Sequence, residues 1–338
     1  MSCSATAPMI CGATPVFADV EPEYFCLDPY DIERKITEKT KAIIVVDLFG
    51  QPHDYNHLYD IATKNELWII EDSAQAVGAY FRCNDPGIGR KVDGLEVRQY
   101  TGNLGHIGCF SFTQGKHMTA GEGGLITTND DDIGMKCRLL LNHAEAVVND
   151  IENNIEVPKV QSFRNLWGFN MRMTEMQAAI IQEQLKKLDY FIKTRVKNAF
   201  YLNQRLNEFT FIDAAPIREG CVHSYYCQPF LYRQEKAEGI HRNTFINAVK
   251  AELTPMKGRE DEEVRISTGY IKPLYRMPLF CKDSVFDKYL QSTFPIVEKL
   301  WKDELFLHLY LAPPTSEDDM DDIAESFYKV WANREELR

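Results

Sequence analysis

Three short, continuous apolar runs constrain this chain more than any other feature. They are KAIIVVDLFG (residues 41–50), LWIIEDS (67–73) and IGCFSF (107–112). Unbroken runs of this length read as strands buried on both faces, the mark of a parallel sheet. Helical spacing separates them. DPYDIERKI precedes the first run, with Asp28 as a cap and Pro29 at the first helical position, and NHLYDIATKNE precedes the second. TPVFADV (14–20) and GGLITTND (123–130) read as further strands. Strands alternating with helices predict an α/β fold: a large parallel or mixed sheet covered by helices.

From Met173 the pattern changes. TEMQAAIIQEQLKKLDYFIKTRVKNAFYLNQRL reads as helical throughout, with Thr174 as its cap. HSYYCQPFLY then reads as a strand and RNTFINAVKAEL as a helix. SEDDMDDIAESFYKVW reads as a closing helix, with Ser316 as cap and acids in the first turn, where the helix dipole favours them. The expected organisation is a large α/β/α domain over residues 1–173, a long linking helix over 174–207, and a smaller α+β domain over 208–338. The polar stretches 147–164 and 257–265 read as loops.

At 338 residues, with 44% hydrophobic and 26% charged residues, the chain has the composition of a soluble globular protein. Its net charge of −12 argues against nucleic acid as a main partner, because phosphate backbones call for clustered Lys and Arg. The nine cysteines form no C-x-x-C pair and no zinc spacing, which predicts reduced thiols, a cytoplasmic setting and no metal. No stretch reaches the roughly 18 apolar residues of a membrane span. The start, MSCSATAPMICGATPVF, lacks a basic region followed by an apolar run, so no signal peptide is expected.

Ligands of open α/β sheets bind beyond the carboxyl ends of the strands. Two strand ends carry chemistry. LWIIEDSAQA places Glu71 and Asp72 at one, and IGCFSFTQGK places Ser111, Thr113 and Lys116 at another. Asp72 reads either as a helix cap or as a poorly solvated carboxylate that wants a cationic partner. Lys116 lies among Gly115, Gly121, Gly123 and Gly124. It reads either as a surface lysine in a hairpin or as an amine with a lowered pKa, able to form a Schiff base. Pyridoxal phosphate ties these features together. It needs a lysine for its aldehyde, a carboxylate for its ring nitrogen, donors for its phosphate and a small group against its ring. Lys116, Asp72, Ser111 and the Ala74–Gln75 pair match those needs. GNLGHIG (102–108) imitates a dinucleotide fingerprint, but its glycines precede a strand instead of following one, which argues against a dehydrogenase.

The stretches GATPVFADV, TKAIIVVDLFGQP, IIEDSAQAVGA, GCFSFTQGKHMTAGEGGLITTND and GFNMRMTEMQAAIIQEQLKKLD resemble the DegT/DnrJ/StrS-type sugar aminotransferases. The resemblance covers nearly the whole chain. It implies a pyridoxal-phosphate enzyme of the aspartate-aminotransferase fold. By the same resemblance Lys116 is the lysine that holds the cofactor and shuttles its proton. Asp72 serves the ring nitrogen, Gln75 the phenolic oxygen, Ala74 one ring face and Ser111 the phosphate. Asn170 reaches the phosphate of a neighbouring subunit, which implies a homodimer with shared active sites. Two features depart from the family pattern. Its members usually carry several dozen more N-terminal residues, including a phosphate-binding helix start. His106 stands where an aspartate is common, with loop support as its expected role.

His143 and Arg172 are further candidates for the substrate side. Of Tyr225 and Tyr226, which point oppositely on a strand, one is expected in the core and the other, taken as Tyr225, at the substrate. The implied reaction carries an amino group from glutamate or glutamine to a keto sugar, foremost a nucleotide-linked keto-deoxy sugar. The alternatives are a cyclitol ketone as acceptor and a non-catalytic homologue. A sugar dehydratase is disfavoured, because that branch of the family replaces the lysine with histidine.

Overall fold

The computed structural model describes residues 1–83, 97–145, 166–253, 266–268, 272–281 and 293–338. The stretches 147–164 and 257–265, read above as loops, lie outside the described residues. No helix among the described residues is long and apolar enough to cross a membrane.

The first half of the chain supplies helices α1 (Cys3–Ile10), α2 (Pro29–Lys35), α3 (Tyr55–Lys64) and α4 (Asp131–Leu141). It also supplies strands β1 (Ala42–Val46), β2 (Trp68–Asp72), β3 (Tyr80–Cys83), β4 (Val97–Tyr100), β5 (Ile107–Ser111) and β6 (Gly124–Thr128). Local signals set several boundaries. Asp28 accepts the Tyr30 N–H and Pro29 opens α2, and Asp54 and Asp130 cap α3 and α4 in the same way. The central sheet has the order β1-β2-β5-β6. β1, β2 and β5 run parallel and β6 returns antiparallel to β5, so the sheet is mixed. Tyr55, Leu58, Ile61 and Ala62 of α3 pack against Ile43, Val45 and Ile69 of the sheet.

The second half begins with α5 (Glu175–Leu185) and α6 (Leu188–Leu206), followed by β7 (Ile212–Ala214), β8 (Cys221–Val222) and β9 (Gln228–Tyr232). α7 (Arg242–Glu252), β10 (Ile266–Thr268), β11 (Leu305–His308) and α8 (Glu317–Ala332) complete the main elements. β10, β11, β9 and β7 form an antiparallel sheet in that order, and β4, β3 and β8 a small third one. Phe211, Phe230, Phe245, Phe306 and Phe327 join strands and helices in one aromatic core.

Three expectations are corrected. Residues 14–20 form no strand. They make a single bridge, Val20 to Leu27, because carboxylates hold the segment instead. Asp31 accepts the Asp19 N–H, and Asp19 accepts the N–H groups of Ile296 and Val297. The helix expected over 174–207 is two helices, interrupted at Lys186–Lys187. Thr174 does cap the first, in a reciprocal box with Gln177. The break has no glycine or proline to announce it, and packing sets it. α5 buries none of its residues, whereas α6 buries Arg195, Asn198, Ala199, Leu202 and Leu206. In HSYYCQPFLY only Gln228–Tyr232 is strand, because His223 to Cys227 are tied to the loop after β1.

β2 presents two faces with different fates. Ile69 and Glu71 point into the α3 side and are both 0% exposed, while Ile70 and Asp72 point to the other face. A buried carboxylate must be satisfied. Glu71 accepts the backbone N–H groups of Gly102 at 2.6 Å and Leu104 at 2.8 Å, and that of Gly105. The glycine run that imitates a nucleotide loop is therefore a ring of backbone donors filled by the carboxyl group of the protein's own Glu71. The Tyr55 hydroxyl lies 2.9 Å from Glu71 Oε2 and 3.0 Å from Asp47 Oδ1. One hydroxyl proton cannot serve two carboxylates. A proton on Glu71 resolves this: Glu71 donates to Tyr55, and Tyr55 donates to Asp47. Ser73 Oγ also donates to Asp47, at 2.8 Å. The His53 imidazole gives Asp47 its Nδ1 proton at 3.1 Å and accepts the Leu27 N–H on Nε2.

Burial and the nearby Asp47 carboxylate raise the Glu71 pKa from 4.5 to about 7, against the pull of the backbone donors. A folded-state pKa above the unfolded value adds stability that is complete below pH 4.5 and is lost as pH rises through about 7. Urea unfolding should show this decline, and the Glu71→Gln protein should lack it. The amide sets an N–H₂ against backbone donors, so the variant should also be less stable by about 1–3 kcal/mol at pH 5.

Candidate active site

Lys116, Asp72, Ala74, Gln75 and Ser111 gather at the carboxyl ends of β2 and β5. Asp72 is paired with Cys109 across the parallel ladder, and Ser111 lies two residues further along β5. The Ser73 N–H donates to the Cys109 carbonyl at 2.9 Å, which keeps the two strand ends together as they leave the sheet. No helix starts at Ser73. Asp72 Oδ1 accepts the Ala74 N–H at 3.3 Å, in a turn, and Asp72 Oδ2 accepts the Ser4 hydroxyl of α1 at 2.6 Å.

The turn after β5 lifts Lys116 back toward Asp72. Phe112 and the Gly123 carbonyl, Gln114 and the Gly121 carbonyl, and Lys116 and the Thr113 carbonyl close it by backbone bonds. Gly115 and Gly121 have φ of +86° and +82°, a region where a side chain would be strained. Lys116 is half-buried. Burial lowers its amine pKa, opposed by attraction to the Asp72 carboxylate. Its Nζ lies 4.8 Å from the centre of the Tyr226 ring.

Gln75 is buried and accepts the Phe49 N–H on Oε1 at 2.9 Å. Phe49 takes the unusual φ of +63°, and its carbonyl accepts the Tyr226 N–H at 2.8 Å. Gln75 is thus linked through one turn to the ring beside Lys116. The neighbouring His117 is 3% exposed, and its Nε2 donates to the Ser224 carbonyl at 3.1 Å. Burial and the Arg195 guanidinium hold its pKa well below the usual imidazole range, so it stays neutral.

The remaining sequence candidates are placed elsewhere. His143, Asn170 and Arg172 form their own cluster where α4 ends. Asn142 and Asn170 make an isolated bridge, the His143 N–H donates to the Phe169 carbonyl at 2.9 Å, and Arg172 donates to Asn142 Oδ1 at 2.5 Å. Among the described residues, none of the three has a hydrogen bond to the Lys116–Asp72 group. Tyr225 is corrected: it is a core residue, 4% exposed, with φ of +50° and its ring 4.1 Å from that of His223. Its neighbour Tyr226 meets Lys116. Alternation along a strand separates the two but does not say which faces which side. Ser4 had no signal in the sequence at all. His106 supports the sheet at the opposite end, where its Nδ1 accepts the Ile69 N–H and its ring meets Trp68 edge-on.

A half-buried lysine with a depressed pKa, a carboxylate and a hydroxyl on adjacent strand ends, and a small residue and an amide on the following turn define a site of the Schiff-base class. This donor set fits pyridoxal phosphate. The chain belongs to the DegT/DnrJ/EryC1/StrS aminotransferase family, which it matches over residues 1–328. It is 38% identical over 203 residues to GDP-perosamine synthase from Caulobacter vibrioides, a match covering 60% of this chain and 48% of that protein, about half its length. It is 30% identical over 320 residues to L-glutamine:2-deoxy-scyllo-inosose aminotransferase from Streptomyces lividus, covering 94% of this chain and 72% of that protein. An aminotransferase structure from Psychrobacter cryohalolentis superposes with a TM-score of 0.81 at 26% identity, covering 98% of this chain and 79% of that one. The fold is the mixed α/β fold of the pyridoxal-phosphate-dependent aminotransferases of this family.

Proposed function

We propose that the chain transfers an amino group from glutamate or glutamine to a keto sugar, with a nucleotide-linked keto-deoxy sugar as acceptor and pyridoxal phosphate as cofactor. The observation that carries this reading is the Lys116 amine, lowered in pKa by burial and close enough to feel the charge of Asp72. Bound there, pyridoxal phosphate supplies an electron sink for the charge left when a substrate C–H bond is broken. Lys116 forms the link to the cofactor and moves the proton, because burial keeps a larger share of its amine unprotonated near neutral pH. Asp72 faces the ring nitrogen, held in aim by Ser4 and the Ala74 N–H. Gln75 serves the phenolic oxygen, Ala74 a ring face and Ser111 the phosphate.

A second acceptor class, a cyclitol ketone, is supported by the relative from Streptomyces lividus, whose name specifies an inosose. A non-catalytic homologue is disfavoured by the joint presence of Lys116, Asp72, Gln75, Ser111 and Asn170.

The reading includes a homodimer. α5 buries none of its residues and exposes Met176 (75%), Ile180 (47%) and Leu185 (57%). Trp167 (86%) and Met171 (68%) lie on the segment leading into it. A second copy of the chain is the proposed cover for this apolar face. Asn170 would then reach across to the partner's cofactor phosphate, with His143 and Arg172 beside it facing the acceptor. We assign residues 1–173 to cofactor binding, 174–207 to the linking helices and 208–338 to the smaller unit. A cytoplasmic location accords with the free cysteines among the described residues.

Purified protein mixed with pyridoxal phosphate should turn yellow, and glutamate or glutamine should bleach the colour. Lys116→Ala should show neither change and lose transamination by at least about 10²–10⁴-fold. Activity with a nucleotide-linked keto sugar but not an inosose, or the reverse, decides the acceptor. In light scattering the chain should have twice its monomer mass. The Met176→Glu/Ile180→Glu double variant should shift it toward monomer, and an unchanged mass would remove α5 from the interface.

A further inference from the structure

Two costly features converge on one peptide unit. Tyr225 holds a φ of +50°, which side-chain-bearing residues seldom adopt. Arg195, 6% exposed, directs one guanidinium nitrogen to the Tyr225 carbonyl at 2.9 Å and the Tyr226 carbonyl at 3.1 Å. Three further contacts fix the same stretch. The Tyr226 N–H donates to the Phe49 carbonyl, the Ser224 N–H donates to the Gly50 carbonyl at 3.0 Å, and His117 donates to the Ser224 carbonyl. Gly50 is required for that approach: a Cβ there would lie 2.8 Å from both Ser224 Oγ and the Tyr225 nitrogen.

This scaffold aims one side chain. It turns Tyr225 into the core and sets the face of Tyr226 4.8 Å from Lys116 Nζ, within the roughly 6 Å over which an aromatic face attracts a cation. The turn that holds Tyr226 also holds Gln75, through Phe49, so the two residues share one mount.

We propose that Tyr226 is a positioning residue for Lys116, its ring face serving as a fixed seat for the free ammonium. The proposal rests on Lys116 being the reactive lysine of the function proposed above. A lysine side chain rotates about four bonds, and in transamination it must be released and then return to the same carbon. The seat confines the released amine on the side of Asp72. The other titratable groups beside Lys116 are Cys3 of α1, Cys227 and His117, and Arg195 lies next to His117. His117 is neutral and Arg195 is engaged with carbonyls, which among the described residues leaves Asp72 and the ring as the partners for the ammonium.

The test is made on the cofactor-free chain, so it reads the seat even if pyridoxal phosphate does not bind. Competitive acetylation with acetic anhydride, followed by mass spectrometry of the Lys116 peptide across pH, gives the amine pKa in the parent chain and in Tyr226→Phe and Tyr226→Leu. The ring face stabilises the ammonium, so Tyr226→Phe should match the parent. Tyr226→Leu, which keeps the burial and removes the ring, should lower the pKa by about half to one unit. A Tyr226→Leu value equal to the parent's overturns the seat. A Tyr226→Phe value equal to that of Tyr226→Leu also overturns it, since the hydroxyl and not the face would then be responsible. A second measurement needs no variant. In the parent protein the Lys116 ε-methylene protons should resonate upfield of ordinary lysines through the ring current, and an ordinary shift overturns the proposal. Failure to turn yellow with pyridoxal phosphate, with both seat signatures present, would instead sink the functional reading.

Discussion

A tyrosine hydroxyl set between two fully buried acids, accepting from Glu71 and donating to Asp47, organises the centre of this protein. Asp47 leaves β1, Glu71 ends β2 on its inner face, and Tyr55 opens α3. Their contact ties a strand end, its neighbour and the helix between them into one unit. Glu71 extends the unit to the loop before β5 through three backbone N–H groups. Because side chains alternate along a strand, anchoring Glu71 inward forces Asp72 outward at the next position. The reactive face of the sheet is thus set by a structural carboxylate on the opposite face.

Around Asp72 the chain builds an environment in which burial and charge oppose each other. Burial disfavours the Lys116 ammonium, and Asp72 favours it. Burial has the larger effect, which suits an amine meant to act as a nucleophile and base. Contributions from distant parts of the sequence make this possible: α1 steadies Asp72 through Ser4, and α6 steadies Tyr226 through Arg195. A buried guanidinium that caps two peptide carbonyls restrains the main chain more tightly than packing alone, since leaving it unpaired would be costly.

Much of this was legible in the sequence where the cause is local. Asp28, Asp54, Asp130 and Thr174 cap their helices because a cap needs only residues a turn away. The runs around Ile43, Ile69 and Ile107 form parallel strands because their neighbours leave them nothing else to bury against. The misreadings share a non-local cause. Residues 14–20 have a strand-like pattern, but Asp19 and Asp31 take up backbone groups that a sheet would have used. The break at Lys186–Lys187 follows a change in what the two helices pack against. Tyr225 and Tyr226 are chemically equivalent in the sequence, and the positive φ that sorts them is imposed by Gly50, Phe49 and Arg195.

By itself, then, the sequence determined the α/β class, the strand ends that carry Asp72, Ser111 and Lys116, and the family to which the chain belongs. These follow from hydrophobic period, glycine placement and motif order, all of which act over a few residues. Only the tertiary structure decided that the glycine run at 102–105 holds the protein's own Glu71, that Tyr226 and not Tyr225 faces the lysine, and that Ser4 steadies Asp72. Each of these is a contact between groups 31 to 110 positions apart, such as Ser4 with Asp72 across 68 residues. Local pattern says which groups need partners, and folding in three dimensions chooses the partners.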